Sequence, residues 1–285
     1  MDWINMRWDR GHQNHQGAAG EHFTFDCSGA KITDRSTIDI GIDVVKKISE
    51  AYPPPYNLMV SGGVDSQAML YIWRMARVPF NAVSFKYNRT YNHHDLITLS
   101  AFANELKLKI DYRDFNVFSF LSTKLPEYAE KYQCTSPQIC TYMAMGEEIQ
   151  NGTLIYGGNF LFPKACSLSY TMLGLWRYTQ QTKRNIIPFF FQHDAELSVS
   201  LIPIWKKLCS EKTNINANSS YLADVISYED KIKLYHLAEI PVIPQLKKYS
   251  GFELIKDYYD ARPNTITGVE RAKYSTKSSK RDFDI

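Results

Sequence analysis

Six consecutive residues, Ser61-Gly62-Gly63-Val64-Asp65-Ser66, have the types and spacing for phosphate chemistry. They follow a short apolar stretch, Tyr56 to Val60, and lead into a segment with helical spacing, Gln67 to Arg77. Two adjacent glycines let a backbone turn tightly and come close to a ligand. Successive amides in such a turn form a concave set of donors. A helix starting there adds free N–H groups and a positive dipole end. Ser61 and Ser66 contribute hydroxyls. Asp65 is the exception, because a carboxylate repels phosphate. It makes sense if it holds a Mg²⁺ ion that itself binds the phosphate oxygens. The same residues also satisfy a plainer reading, a Gly-Gly turn capped by Asp or Ser.

Other reactive residue types are more scattered. Tyr156-Gly157-Gly158-Asn159 ends a later apolar run, and glycines at a strand end allow close approach of a ligand or form a bare turn. Cys134 and Cys140, two of five cysteines, lie six residues apart. Two thiols at one site could relay sulfur, but cysteine is also an ordinary small buried residue, which is the favoured reading. His12, His15, His22 and Cys27 have ligand-like types in spacings that fit no closed zinc pattern. His193-Asp194 would either face a cleft or cap the next helix, and His93-His94, before the second helix, would either lie near a bound ligand or face water, the favoured reading. There is no GxxxxGK[ST] loop and no GxGxxG fingerprint, which excludes Walker-type and dinucleotide-binding readings.

The elements that would position these residues alternate. Helical spacing is predicted over Ile38–Glu50, ended by Pro53, Pro54 and Pro55. Strands are predicted at Tyr56–Val60, Phe80–Phe85, Leu108–Tyr112, Thr153–Tyr156 and Asn185–Phe191. Helices are predicted at Gln67–Arg77, Asp95–Leu106, Val117–Tyr132 and Pro137–Gln150. Such alternation implies an α/β fold: a parallel sheet of about five strands with helices on both faces. The six-residue turn then lies at the carboxyl end of the first strand, where open α/β sheets bind ligands. Residues 1–51 read as an irregular extended arm and a helix, 52–194 as the α/β domain, and 195–285 as a mostly helical region. A basic tail closes the last of these, with Arg271, Lys273, Lys277, Lys280 and Arg281.

Strand-SGGVDS-helix resembles the PP-loop of the ATP pyrophosphatase (adenine nucleotide alpha-hydrolase-like) superfamily. The resemblance implies that Ser61, Gly62, Gly63, Asp65 and Ser66 cradle the β- and γ-phosphates of ATP, with Asp65 at Mg²⁺ and Asp65 and Ser66 in the catalytic set. It implies that the end of the second strand, Ser84, Phe85 and Lys86, lies beside adenine, and that Gly157 and Gly158 face the nucleotide. The implied activity is adenylation of a substrate oxygen, with release of pyrophosphate and then of AMP. That makes the chain an AMP-forming ligase or transferase. Its acceptor would be a small molecule or a nucleic acid, with a nitrogen or sulfur donor supplied separately. Cations must offset the leaving group's charge, and Lys164, Arg177, Lys183, Arg184, Lys247 and Lys248 are the candidates. The superfamily's reductase motif, its four-cysteine zinc site and its glutaminase cysteine are not matched: the last cysteine is Cys209 and residue 2 is Asp2. A phosphoadenosine phosphosulfate reductase-like or sulfur-transfer relative, and a non-catalytic nucleotide or nucleic-acid binder, are the alternatives.

Composition bounds these readings. The chain has 285 residues, enough for one large domain with a core of its own. Lys plus Arg number 33 against 30 Asp plus Glu, a net charge of +3 that is too small to indicate nucleic-acid binding. With 44% hydrophobic residues the chain is neither disordered nor collagen-like. The apolar runs are too short to cross a bilayer. Met1–Gln13 is polar and unlike a signal peptide, and the unpaired cysteine spacings fit a reducing compartment, so a cytoplasmic setting is expected.

Overall fold

The computed structural model describes residues 6–10, 21–25, 30–88, 91–134, 136–158, 170–210, 228–245 and 252. In chain order, strands β1 (Met6–Arg10) and β2 (Glu21–Phe25) precede helix α1 (Thr37–Ala51). There follow β3 (Tyr56–Met59), α2 (Val64–Ala76), β4 (Asn81–Tyr87), α3 (His93–Glu105) and β5 (Ile110–Phe115). Helices α4 (Val117–Thr123), α5 (Leu125–Lys131) and α6 (Pro137–Glu147) lead to β6 (Thr153–Tyr156) and α7 (Tyr170–Gln181). After β7 (Ile186–Ile187) come α8 (Ala195–Val199), α9 (Ile202–Ser210) and α10 (Tyr228–Leu237).

Strands β3 to β7 form one parallel sheet in the order β5-β4-β3-β6-β7. The period-2 alternation of a strand sends neighbouring side chains to opposite faces, and both faces here are apolar. Leu58, Ala82, Ile110, Ile155 and Ile187 join one core with residues of α1, α2 and α3. Met59, Val83, Phe85, Phe115, Leu154 and Ile186 join a second core with residues of α4 to α7. Each fully buried Leu, Ile or Phe stabilises by roughly 1.5–3 kcal/mol. The helices therefore cover the sheet on two sides, the arrangement an all-parallel sheet requires. Leu197, Trp205, Leu234 and Tyr235 share the first core with Trp73, so the later helices pack onto the same body as α2.

Local chemistry sets the boundaries. Ser36 caps α1 by accepting from Asp39 N at 3.1 Å. Ser136 caps α6, with Pro137 in the first turn. The structure corrects three expectations. The single helix predicted over Val117–Tyr132 is two, because Pro126 lacks an N–H and would clash with the carbonyl of Ser122 in a continuous helix. The fifth strand is only Ile186–Ile187, since Pro188 cannot donate to the ladder and Phe190–Gln192 turns as a short 3₁₀ helix. The N-terminal arm contains an antiparallel pair, β1 with β2, in which Met6 lies opposite Phe25 and Trp8 opposite Phe23. No described helix is long and apolar enough to cross a membrane.

Candidate active site

The chain leaves β3, adds β4 and β5 on one side, and returns to add β6 and β7 on the other. That reversal parts the loops after β3 and β6 and opens a crevice at the carboxyl ends of the strands. A cavity of about 320 Å³ lies there. Its floor is Met59, Val60, Val83, Ser84, Phe85 and Tyr156. Ser61, Gly63, Asp65 and Ser66 form one side, and Gln138, Ile139, Tyr142 and Met145 of α6 with Leu175 of α7 form the other.

The loop geometry follows from its sequence. Val60 N still donates to Val83 O at 3.0 Å, so the sheet runs to the edge of the turn. Gly62 has φ +95, which side-chain-bearing residues rarely adopt, and a Cβ there would lie 2.2 Å from Asp95 O. The two serines brace the turn: Ser61 N donates to Ser66 Oγ at 3.2 Å, and Gly63 N to Ser61 Oγ at 3.4 Å. The N-cap of α2 is Gly63, with no side-chain cap. The plainer reading of a turn capped by Asp or Ser is therefore not what forms. The first-turn amides of α2 have no capping side chain, on the wall of a cavity, in the way that suits an anion.

Of the residues expected at the site, Ser61, Gly63, Asp65, Ser66, Phe85, Gly157 and Gly158 line the cavity. Gly62 lies just behind the wall, against Asp95 and Leu99. Lys86 differs from expectation. It follows Phe85 on the strand and so points to the opposite face, where its ammonium lies 5.3 Å from the centre of the Tyr112 ring.

The surroundings of Asp65 also differ from expectation. Its Oδ2 accepts from Lys231 Nζ at 2.6 Å, and its Oδ1 accepts from the Tyr235 hydroxyl, both from α10. Burial, and after it the Asp65 carboxylate, hold the Tyr235 hydroxyl well above the usual phenol range, so it stays a neutral donor. Magnesium demands near-octahedral oxygen ligands at about 2.0–2.1 Å. As it stands, Asp65 does not fit that demand: both oxygens are engaged and an ammonium occupies one of them. Among the described residues, no cluster of three or more His, Cys, Asp or Glu could hold a metal ion.

Gln67 ties the same C-terminal segment to the loop. Its Nε2 donates to Gly62 O at 2.8 Å and Ile243 O at 2.9 Å, while Ile243 N donates to its Oε1 at 2.7 Å. Gln245 Nε2 donates to Asp95 Oδ1, and Asp95 also lines the cavity. Sequence reasoning missed Gln67, Asp95, Lys231 and Tyr235.

Other candidates have structural roles. Arg177 donates to Gln133 O at 3.1 Å, and Arg184 to Gly146 O at 2.8 Å. Lys183 is exposed. Asp194 caps α8 and pairs with Lys47 at 2.9 Å. Cys134 and Cys140 are fully buried, and neither lines the cavity. Lys164, Lys247, Lys248, His12, His15, Cys27 and the basic tail lie outside the described residues.

No protein-family profile and no curated protein sequence matches the chain. Solved structures do. The chain is similar to the NH3-dependent NAD synthetase from Campylobacter jejuni subsp. jejuni NCTC 11168, at 12% identity and TM-score 0.35, over 78% of this chain and 100% of that one. It is similar to NMN synthetase from Francisella tularensis at 13% identity and TM-score 0.35, over 80% and 94%. It is similar to the U34-tRNA thiolase from Methanococcus maripaludis, determined with its [4Fe-4S] cluster, at 14% identity and TM-score 0.33, over 83% and 76%.

Proposed function

We propose that the cavity binds ATP and that the chain is an AMP-forming enzyme of the ATP pyrophosphatase type. The observation that carries this is the position of Ser61–Ser66: a glycine turn and a helix start without a capping side chain, on the wall of a cavity at the sheet's reversal point. In this reading the outer phosphoryl groups lie against Ser61, Gly63 and Ser66, with Gly62 shaping the turn behind them. The base lies toward Phe85 and the apolar side chains of Ile139, Met145 and Leu175, and Gly157 and Gly158 leave room beside the ribose and α-phosphate. Lys86 has no part in it.

The reaction is an adenylation. A substrate oxygen attacks the α-phosphorus, the bond from that phosphorus to the bridging oxygen breaks, and pyrophosphate leaves. A nucleophile then displaces AMP. The amides and hydroxyls of the loop are fixed before the reaction and stabilise the charge that builds on the leaving group. No step of this reading runs through magnesium. A volume of about 320 Å³ is small for a ligand site, so the nucleotide fills it and the acceptor, a small molecule or a nucleic-acid base, approaches from the open side. The nitrogen or sulfur donor is separate. The burial of Cys134 and Cys140 away from the cavity gives no support to a sulfur relay on this chain.

Gly157 supplies a test that spares the fold. Gly157 lines the cavity, and a Cβ there would make only ordinary contact, at 3.9 Å, with Asp65 O and the Met69 side chain. ATP binding by calorimetry should be clear in the unaltered chain and reduced at least tenfold in Gly157→Val, with thermal unfolding unchanged. A folded chain that binds no ATP in magnesium-containing buffer would remove the reading.

A further inference from the structure

Strand β4 outruns its neighbour β3. The ladder between them ends with Val60 N on Val83 O, while β4 continues to Tyr87. Alternate residues of a strand turn their main-chain groups to the same side. Those of Phe85 and Tyr87 therefore point as Val83 O does, toward β3 and, past its end, into the crevice. The buried carboxamide of Asn92 answers this edge from within the chain: its Nδ2 donates to Phe85 O at 2.7 Å, and its Oδ1 accepts from Tyr87 N at 2.9 Å. Across from the glycine loop stands α6. Gln138, Tyr142 and Met145 are spaced i, i+4, i+7, so they share one face of that helix, and all three line the cavity. Gln138 Nε2 donates to the Tyr142 hydroxyl at 2.6 Å. That bond sets which way the carboxamide lies, and it leaves the Oε1 acceptor and the second Nε2 hydrogen for a ligand.

We propose that Gln138, oriented by Tyr142, reads the nucleobase and selects a purine with an amino group at position 6 over one with an oxo group there. The proposal rests on the nucleotide reading and adds base selection to it. Gln138 Oε1 accepts from the amino group while Nε2 donates to a neighbouring ring nitrogen, the two-bond pairing that a carboxamide makes with adenine. An oxo group in the same place sets one acceptor against another and leaves both unsatisfied. Tyr142 is a positioning residue. Without its hydroxyl the carboxamide turns over freely and offers Nε2 to an oxo group.

The test is calorimetric binding, in magnesium-containing buffer, of ATP and of inosine triphosphate, in which the 6-amino group is replaced by an oxo group. The unaltered chain should favour ATP by about tenfold or more. Gln138→Leu should bring the two affinities close together by weakening ATP, with thermal unfolding unchanged. Gln138→Glu keeps an acceptor and should hold more of the preference than Gln138→Leu. Tyr142→Phe should narrow the preference by strengthening inosine triphosphate, and an unchanged ratio there would remove the orienting role of the hydroxyl. Equal affinities in the unaltered chain would overturn the proposal and leave the nucleotide reading intact. A preference that survives Gln138→Leu would overturn it too, as would an equal loss of both nucleotides in that variant, which would mean that Gln138 only shapes the cavity wall. Absence of binding by either nucleotide would defeat the nucleotide reading itself.

Discussion

Gln67 and Ile243 are 176 residues apart, yet one carboxamide satisfies both main-chain groups of Ile243 and still reaches Gly62 O. Gln67 is fully buried, its bond to Gly62 O is made away from water, and its two bonds to Ile243 are part-buried. The loop and the C-terminal segment are thus one hydrogen-bonded unit.

Replacing Gln67 by Leu keeps its approximate volume and removes every partner. A buried main-chain group left unpaired costs about 1–3 kcal/mol; Gly62 O would bear that cost in full, and the part-buried Ile243 O and Ile243 N a smaller one. Gln67→Leu should destabilise by about 3 kcal/mol or more in urea unfolding. Gln67→Glu should do little better, because it keeps the acceptor for Ile243 N but loses both donors and buries a charge.

The two loop glycines should differ sharply. Gly62→Ala places a Cβ 2.2 Å from a backbone oxygen at φ +95, and neither can relax without moving α3. Gly63→Ala meets only Ser61 Oγ at 3.5 Å, with φ −61. Thermal unfolding should show a loss of about 2 kcal/mol or more for Gly62→Ala and well under 1 kcal/mol for Gly63→Ala. Similar losses for both would mean that the turn is not held as described.

The sheet was legible because its strands are short apolar runs separated by helical spacing, and the loop because its glycines and serines are contiguous. What failed did so for definite reasons. Pro126 and Pro188 act within segments whose apolar pattern continues past them, so periodicity alone hides the break. Phe85 and Lys86 are adjacent on a strand and cannot face the same cavity; applying that alternation to the sequence would have separated them. Lys231 left no local signal. It lies among Glu229, Asp230 and Lys233 on a helix that reads as an ordinary polar surface, and only the fold brings it to a carboxylate 166 residues away.

His193 gives a pH dependence with a fixed direction. Burial lowers its pKa from 6.5 to about 4, and Lys47 adds to that while Asp194 opposes it. The ring of Tyr52 stands 6.1 Å away, edge to face. Between about pH 6.5 and pH 4 the unfolded chain binds a proton that the folded chain refuses. Stability therefore falls as pH drops through that window and levels off below it. The full loss is of order 2–3 kcal/mol for a group this buried. Urea midpoints at pH 7 and pH 5 should lie further apart in the unaltered chain than in His193→Phe. Equal separations would show that the ring titrates normally in the fold.

Asp194 makes two kinds of contact, and their magnitudes predict which one matters. Its Oδ1 accepts from Glu196 N at 2.9 Å and Leu197 N at 3.3 Å, capping α8, while Oδ2 meets Lys47 Nζ at 2.9 Å. The Lys47 side chain is 60% exposed, so water screens the ion pair to a fraction of a kcal/mol, at most about 1. A lost cap costs about 1–2 kcal/mol, and here Leu197 N is buried. Asn caps as well as Asp. Asp194→Asn should therefore stay within about 0.5–1 kcal/mol of the unaltered chain, whereas Asp194→Ala should lose about 1–2 kcal/mol. High salt should narrow the gap between Asp194→Asn and the unaltered chain and leave the Ala deficit in place, because screening acts on the charge pair and not on the cap. If Asn proved as damaging as Ala, the Lys47 pair would be the dominant contact, and Asp194 would hold α1 to α8 by charge.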